Sequence, residues 1–174
     1  MGKIVLAFSK NDTADKLRQM LNGSGHEVTA VCHSCAEVLR VAAELDEILV
    51  IMGYKLPDAV VDDVADELRE GQKIISIIRA ERRDMINNDD ILTVTLPVNR
   101  HELLSAIDII WGEIERVRHR AKRTDEEKEI IEKAKLFLME TYQMSEERAH
   151  RFIQKRSMDS GEKLSDVART ILKI

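Results

Sequence analysis

The sequence has no stretch of apolar residues that approaches the roughly 18 needed for a membrane-spanning helix. The apolar residues near the N-terminus follow a single lysine and lack the small-residue cleavage site of a signal peptide. They are more typical of a first β-strand. These absences predict a cytoplasmic protein without a membrane segment.

The residue patterns of catalytic and cofactor-binding sites are also missing. The chain has no glycine-rich loop that would hold a phosphate, no histidines at metal-ligand spacing, and no nucleophile paired with a base. We therefore expect a protein that is not an enzyme, with no catalytic residues, no metal and no cofactor.

The only two cysteines form the motif Cys32-His33-Ser34-Cys35. A CxxC motif can be a redox pair or half of a zinc site. No second cysteine pair exists, and His33 lies inside the motif rather than at a ligand spacing beyond it. We favour a structural interpretation, in which the motif occupies the turn between a strand and a helix.

Charge is distributed unevenly along the 174 residues, a length that suits one full domain and a smaller one. Residues 120–174 hold 13 lysines and arginines against 11 acidic residues, whereas residues 1–119 hold 14 against 21. An acidic first part joined to a mildly basic second part indicates different tasks for the two. We therefore predict two domains, residues 1–120 and residues 121–174.

The first part alternates short apolar runs with amphipathic stretches. Strands are predicted at residues 4–8, 27–32, 48–52, 73–78 and 91–95, and helices at 12–21, 36–45 and 59–68. The charged segment 79–88 predicts only a short fourth helix. Five strands alternating with helices are typical of an α/β fold with a parallel sheet covered on both faces.

The pattern changes at Arg100, where apolar residues at helical spacing continue to about residue 142 without a proline. One long helix, or two nearly coaxial ones, is the simplest interpretation. Positions 107, 110, 114, 117 and 121 fit about two heptads of a coiled coil. The alternative is that this stripe packs back onto the sheet. We favour a homodimer seam at its far end.

Two short helices complete the chain. Ser145 is a predicted N-cap, followed by two glutamates in the first turn. We expect Ala149, Phe152 and Ile153 to form the buried face of the first helix, and the methionines at positions 139, 144 and 158 to lie in the core. The final helix has apolar residues at positions 164, 167, 168, 171 and 172.

With its local signatures, the first part resembles the receiver domain of two-component response regulators, a CheY-like, flavodoxin-like (βα)5 fold. Leu56-Pro57-Asp58 follows the third strand, and Leu96-Pro97 follows the fifth. The resemblance implies an acidic pair after strand one for Mg²⁺, a phosphoacceptor aspartate before the first proline, a Ser or Thr after strand four, and a lysine before the second proline.

The sequence departs from this pattern at every functional position. The acidic pair is replaced by Phe8 and Ser9, and the phosphoacceptor by Gly53. The hydroxyl position falls on Ile78 or Arg79, and the lysine position on Leu96. The nearby acids Asp58, Asp62 and Asp63 are expected to face solvent or cap a helix. We therefore expect a pseudo-receiver with a degenerate phosphorylation site.

The end of the chain resembles the ANTAR domain, a three-helix module that binds stem-loops in bacterial leader RNA. The matching motifs, in order, are Ile131 with Ala134-Lys135 and Leu138-Met139, then Met144-Ser145-Glu146-Glu147 with Ala149, then Met158-Asp159, and finally Lys163-Leu164 with Asp166-Val167-Ala168. Leu136, Gln154 and Ser157 replace residues that are frequent in the family. The resemblance implies RNA binding and transcription antitermination.

A cationic stripe is predicted on the middle helix of this module. Arg148, Arg151 and Lys155 recur at spacings of three and four, and Lys135 and Lys163 can lie beside them. With Gln154, these are our candidate contacts with RNA phosphates and loop bases. His150 and Tyr142 are more simply explained as surface or packing residues. From charge alone, a solvated face paired with nearby acids is the simpler alternative.

Together these features predict an RNA-binding antitermination regulator in which phosphorylation is closed as a route of control. The expected partners are leader stem-loops, a second copy of the chain, and a regulatory sensor protein, with no membrane. Two alternatives remain open at this stage. One is a DNA-binding transcription factor, and the other is a protein-interaction module that has lost RNA affinity.

Overall fold

The computed structural model describes residues 2–174. The chain divides into two compact units, Met1–Arg118 and His119–Ile174. The first unit contains a sheet of five parallel strands in the order β2-β1-β3-β4-β5. The strands are β1 (Lys3–Ala7), β2 (Val28–Cys32), β3 (Ile48–Gly53), β4 (Gln72–Ile78) and β5 (Leu92–Thr95). The predicted α/β class and the five predicted strands are confirmed.

Three helices follow the first three strands: α1 (Asn11–Asn22), α2 (Cys35–Glu44) and α3 (Val61–Glu67). A short 3-10 helix, Ala80–Met85, stands after β4, where the charged sequence predicts only a weak helix. Helix α4 (Arg100–Tyr142) is continuous over 43 residues, as the absence of proline allows.

Alternate residues of the strands supply two separate cores, one on each face of the sheet. On one face, Leu49 and Ile51 of β3 pack in the cluster that contains α1 and the first part of α4. On the other face, Val50 and Met52 pack in the cluster that contains α2 and α3. Because both faces are covered, the central strand β3 and most of β1 are apolar rather than alternating with polar residues.

Over most of its length the apolar stripe of α4 packs on the sheet, the alternative that the sequence left open, and not in a coiled-coil seam. Ile107, Ile110 and Ile114 are at most 2% exposed and belong to the core between the sheet and α4. These isoleucines cover the apolar side chains on one face of the sheet. Of the five seam positions, only Val117, which is half-buried, and Ala121, which is exposed, lie outside that core.

The second unit contains the end of α4 with α5 (Glu146–Ser160) and α6 (Leu164–Leu172). Its core is formed by small and branched side chains, namely Ala134, Leu138, Ala149, Ile153, Val167 and Ala168. The hydroxyl of Ser145 accepts a hydrogen bond from the Arg148 backbone N–H at 3.3 Å, so the predicted N-cap is confirmed. Gly161 ends α5 in the left-handed region, with φ of 71°.

The segment of α4 from about residue 118 to 129 is mostly polar and exposed, and it carries ion pairs along its own surface. Lys122 pairs with Glu126, and Arg123 with Glu127, at i,i+4 spacing. Among the helices of residues 2–174, none combines the length and apolar character needed to span a bilayer.

Candidate nucleic-acid interface

The positions that correspond to a receiver's phosphorylation site meet at the carboxyl edge of the sheet. Phe8 follows β1, Gly53 ends β3, Arg79 follows β4 and Leu96 follows β5. Neighbouring parallel strands β1 and β3 bring Phe8 and Gly53 together, and a Cβ placed on Gly53 would lie 3.8 Å from the Phe8 ring. The phenyl ring therefore faces the position from which a phosphoacceptor side chain would project.

The surroundings of this edge offer little to a phosphate or a divalent ion. Phe8 is buried in the core, and Leu96 is 48% exposed without a charge. Ser9 and Arg79 are exposed. Over residues 2–174, no group of three or more His, Cys, Asp or Glu side chains is placed to hold a metal ion.

The acids next to this edge serve as caps and loop contacts, as the sequence predicts. Asp58 accepts hydrogen bonds from the backbone N–H groups of Cys35 and Ala36 at 2.7 and 3.1 Å, where α2 begins. The bond from Cys35 contributes most to holding the pKa of Asp58 below its usual value. Asp63 accepts from the Val60 N–H at the start of α3, and Asp62 accepts from two backbone N–H groups at residues 87 and 88.

The CxxC motif joins β2 to α2, and both cysteines are free. Cys32 is buried, and this burial raises the pKa of its thiol to about 11, with a further contribution from the charge of Glu37. Burial also raises the pKa of Cys35. Because the thiolate is the reactive form, neither side chain has the character of a redox nucleophile at neutral pH. These properties favour the structural interpretation of the motif.

The exposed side of α5 carries the predicted cationic stripe. Arg148, Arg151 and Lys155 are all exposed, as is Gln154. The Arg151 guanidinium lies 2.6 Å from a Glu147 carboxylate oxygen, and both side chains are about three-quarters exposed. Lys163 is also exposed, at the N-cap of α6. The geometry thus brings three cations onto one helix face at spacings of three and four.

Lys135 does not share this exposure, which corrects its expected role as a phosphate contact. Its side chain is 9% exposed, and its Nζ atom lies 2.9 Å from Glu132 Oε1 and 2.9 Å from Glu146 Oε1. Hydrogen bonds to Glu132, and then to Glu146, raise the pKa of the Lys135 ammonium. The side chain therefore joins α4 to the start of α5, and its hydrogen-bonding capacity is already used within the protein.

An aromatic groove on the second unit was not predicted from the sequence. Phe137, Tyr142 and Phe152 line a cavity of about 370 Å³, together with Arg156 and three aliphatic or methionine side chains at positions 138, 144 and 171. The rings of Phe137 and Tyr142 meet edge to face, with centroids 6.5 Å apart and planes at 73°. We use "aromatic groove" for this cavity.

Two residues that the sequence assigned to the core are on the surface. Phe152 is 38% exposed and Met158 is 83% exposed. The buried face of α5 is narrow, because Ala149 and Ile153 are four residues apart and fill it. Phe152 lies at the border of that face. The regular spacing of Arg148, Phe152 and Arg156, four residues apart, was the signal for a mixed aromatic and cationic edge.

Comparison with known structures identifies the fold of the first unit. One similar structure is the signal receiver domain of an HD domain-containing protein from Pseudomonas fluorescens Pf-5, at 19% identity and TM-score 0.62, covering 68% of this chain and 93% of that one. Another is a CheY-like response regulator receiver domain from Methanospirillum hungatei JF-1, at 24% identity and TM-score 0.56, covering 67% and 98%. These identities establish the receiver fold and not its chemistry.

Residues 119–172 match the family model of the ANTAR domain. No curated protein sequence matches the chain. The chain thus carries a unit with the receiver fold, followed by a segment that matches the ANTAR domain. The aromatic groove and the cationic stripe of α5 both lie within the matched residues.

Proposed function

We propose that this protein is a transcription antitermination regulator that binds stem-loops in leader RNA through its ANTAR domain. The observation that carries the proposal is the exposed stripe of Arg148, Arg151 and Lys155 on α5. Cations at this spacing can contact successive phosphates, and arginine planes can also stack on bases that a loop exposes. Gln154, three residues after Arg151 on the same helix, extends this surface, and the exposed Lys163 at the N-cap of α6 is a further candidate contact.

The ion pair between Arg151 and Glu147 does not remove Arg151 from this surface. Both partners are solvated, and an exposed pair of this kind contributes about 0–1 kcal/mol. An RNA phosphate can therefore replace the Glu147 carboxylate at little cost. Lys135 is excluded from the proposed contacts because it is buried between two glutamates.

Charge reversal on the stripe tests RNA binding. We expect Arg148→Glu with Lys155→Glu to weaken binding to a hairpin RNA by about tenfold or more, and to reduce the slope of log K against log salt by about 1.5–2. Lys16→Glu with Arg18→Glu is the matched control, because it changes the charge equally on exposed positions of α1 in the first unit. Binding would be measured by fluorescence anisotropy over a range of salt concentrations.

The comparison between nucleic acids is part of the same experiment. Unchanged affinity and salt slope in the Arg148/Lys155 variant would exclude the stripe as the RNA surface. Tighter binding to duplex DNA than to the hairpin would replace the proposal with a DNA-binding function. Absence of binding to either would leave a protein-interaction module.

We further propose that the receiver domain is not phosphorylated. Gly53 has no side chain to accept a phosphoryl group, and the Phe8 ring faces the space beside it. Incubation with acetyl phosphate and Mg²⁺, followed by intact-mass measurement, should leave the mass unchanged. Stoichiometric acid-labile phosphorylation would contradict this part of the proposal.

If the receiver domain is not phosphorylated, RNA binding has to be controlled in another way. We propose that a regulatory sensor protein masks or releases the ANTAR surface, and that two copies of the chain act together on a pair of stem-loops. Because Ile107, Ile110 and Ile114 lie in the core, the predicted seam positions that stay available for a dimer contact are Val117 and Ala121. Light scattering at several protein concentrations tests the homodimer, and a monomer at all of them would exclude it.

A further inference from the structure

Half of the aromatic residues of this protein surround one groove. The sequence has three phenylalanines, two tyrosines and one tryptophan, and Phe137, Tyr142 and Phe152 line the aromatic groove. Their exposed fractions are 37%, 62% and 38%. We propose that this groove receives one unstacked base of the RNA loop, an inference that rests on the proposed RNA-binding function.

The groove has the shape and surface that a nucleobase requires. A flat, uncharged base gains by stacking on aromatic faces or packing against ring edges, and this contact tolerates any base because each has a π face. A volume of about 370 Å³ is large enough for a planar group the size of a nucleobase. Loop bases are available for such contacts because they are already free of the stem.

Arg156 supplies a cation at the wall of the groove. Arg151 is paired with Glu147 and Arg169 with Asp166, but within residues 2–174 no carboxylate lies within ion-pair distance of the Arg156 guanidinium. An arginine in this state can stack on a base or bind the phosphate beside it. It contributes to recognition without first breaking an internal ion pair.

The groove also lies beside the cationic stripe. Helical geometry places Arg148, Phe152 and Arg156 in one row, since they are four residues apart, and Lys155 adjoins that row. A strand whose phosphates follow Arg148 and Lys155 therefore passes the mouth of the groove. One base can turn inward from it while the backbone stays on the cations.

A second copy of this domain is a poorer occupant. Its corresponding surface is equally cationic, so a symmetric contact would place arginines and lysines of the two copies against each other. RNA supplies the opposite charge together with the planar apolar group. The combination of rings and unpaired guanidinium therefore favours nucleic acid.

The test uses the full chain and an RNA hairpin selected by it from a library with a fixed stem and a randomised loop. Phe152→Leu and Tyr142→Leu remove a ring while keeping apolar volume. We expect each to weaken hairpin binding by about five- to 150-fold, with the salt slope unchanged, because stacking is not ionic. Leu136→Ala is the control, since Leu136 is 54% exposed and lies outside the groove.

A fluorescent base identifies the occupant directly. When 2-aminopurine replaces the loop bases one at a time, we expect one position to be quenched on binding wild-type protein and to recover in Phe152→Leu. Circular dichroism confirms that each variant keeps its helical content. Should Phe152→Leu lose its fold, Tyr142→Leu carries the test, because the Tyr142 side chain is the more exposed of the two.

The outcomes separate this inference from the proposed function. If no hairpin is selected, RNA binding itself fails. If the hairpin binds and the Arg148/Lys155 variant weakens it, but the ring variants bind like wild type, only the base site is refuted. A change of oligomeric state in the ring variants, without a change in hairpin affinity, would assign the groove to a contact between copies and overturn the inference.

Discussion

Replacement of Ile153 by alanine is the most informative test of how the ANTAR domain is held together. Ile153 is fully buried in the core of the second unit, where it packs with side chains from all three helices. Removing a buried isoleucine side chain to the β-carbon costs about 2–5 kcal/mol, the higher values applying where the site cannot collapse. Ile153 is one of the few large side chains in this core, so we expect its removal to lower the free energy of unfolding by an amount within that range.

The size of the unit makes this loss a large share of its stability. A unit of roughly 56 residues, at about 0.05–0.15 kcal/mol per residue, is stable by about 3–8 kcal/mol. Ile153→Ala should therefore remove about a quarter or more of the free energy of unfolding. Leu136→Ala, on an exposed position of the same unit, should change it by no more than about 0.5 kcal/mol.

Two optical signals separate the units in urea unfolding. Trp111 is the only tryptophan and lies in the first unit, so its fluorescence reports that unit, whereas circular dichroism at 222 nm reports both. We expect Ile153→Ala to move part of the dichroism transition to lower urea and to leave the Trp111 transition in place. An Ile153→Ala effect as small as that of Leu136→Ala would refute the described core. An equal shift of the Trp111 transition would refute separate cores.

Three further predictions concern single side chains. The pKa of Lys135 is raised in the folded state, so its ion pairs stabilise the protein fully below the unfolded pKa of 10.5 and lose this effect as pH rises through the folded pKa. Lys135→Met should therefore be less stable than wild type at pH 8 and approach wild-type stability at the highest pH. A difference in stability that does not change with pH would contradict this. Cys32, whose pKa is raised to about 11, should resist alkylation by iodoacetamide at pH 8 in the native protein and react once urea unfolds it. Mass spectrometry follows the alkylation. Rapid alkylation of Cys32 in the native protein would contradict this prediction. Gly53→Asp should fold, because a Cβ at this position makes ordinary contact with the Phe8 ring. It should still gain no phosphate from acetyl phosphate, because Phe8 supplies no Mg²⁺ ligand and Leu96 supplies no cation. A stoichiometric gain in mass would contradict this.

The sequence predicts the first unit well because its signals are local. Runs such as residues 48–52 are short and apolar throughout, which is typical of a strand covered on both faces. The continuous helix α4 follows from the lack of proline. The capping role of Asp63 follows from its position in the first turn of α3, whereas Asp58 caps the start of α2, a contact that only the fold brings about.

The differences between sequence and structure concern which other elements contact a given side chain. Ile107, Ile110 and Ile114 have the spacing of a dimer seam, but periodicity does not say whether a sheet or a second helix packs there. Phe152 and Met158 are apolar, but the narrow face of α5 is already filled by Ala149 and Ile153. Lys135 has the charge of an RNA contact, and only the fold brings Glu132 and Glu146 to its ammonium. Each outcome depends on contacts between elements, which spacing along one helix does not encode.

The central claim is that the ANTAR domain binds stem-loop RNA through α5. Its most direct test is the affinity of the wild-type protein for a hairpin selected from a randomised-loop library, compared with the same stem closed by an unrelated loop and with duplex DNA of the stem sequence. We predict that the selected hairpin binds most tightly, and that its advantage over the unrelated loop persists as salt is raised, because base contacts add to the phosphate contacts. Equal affinity for all three, or a preference for the DNA duplex, would contradict the claim.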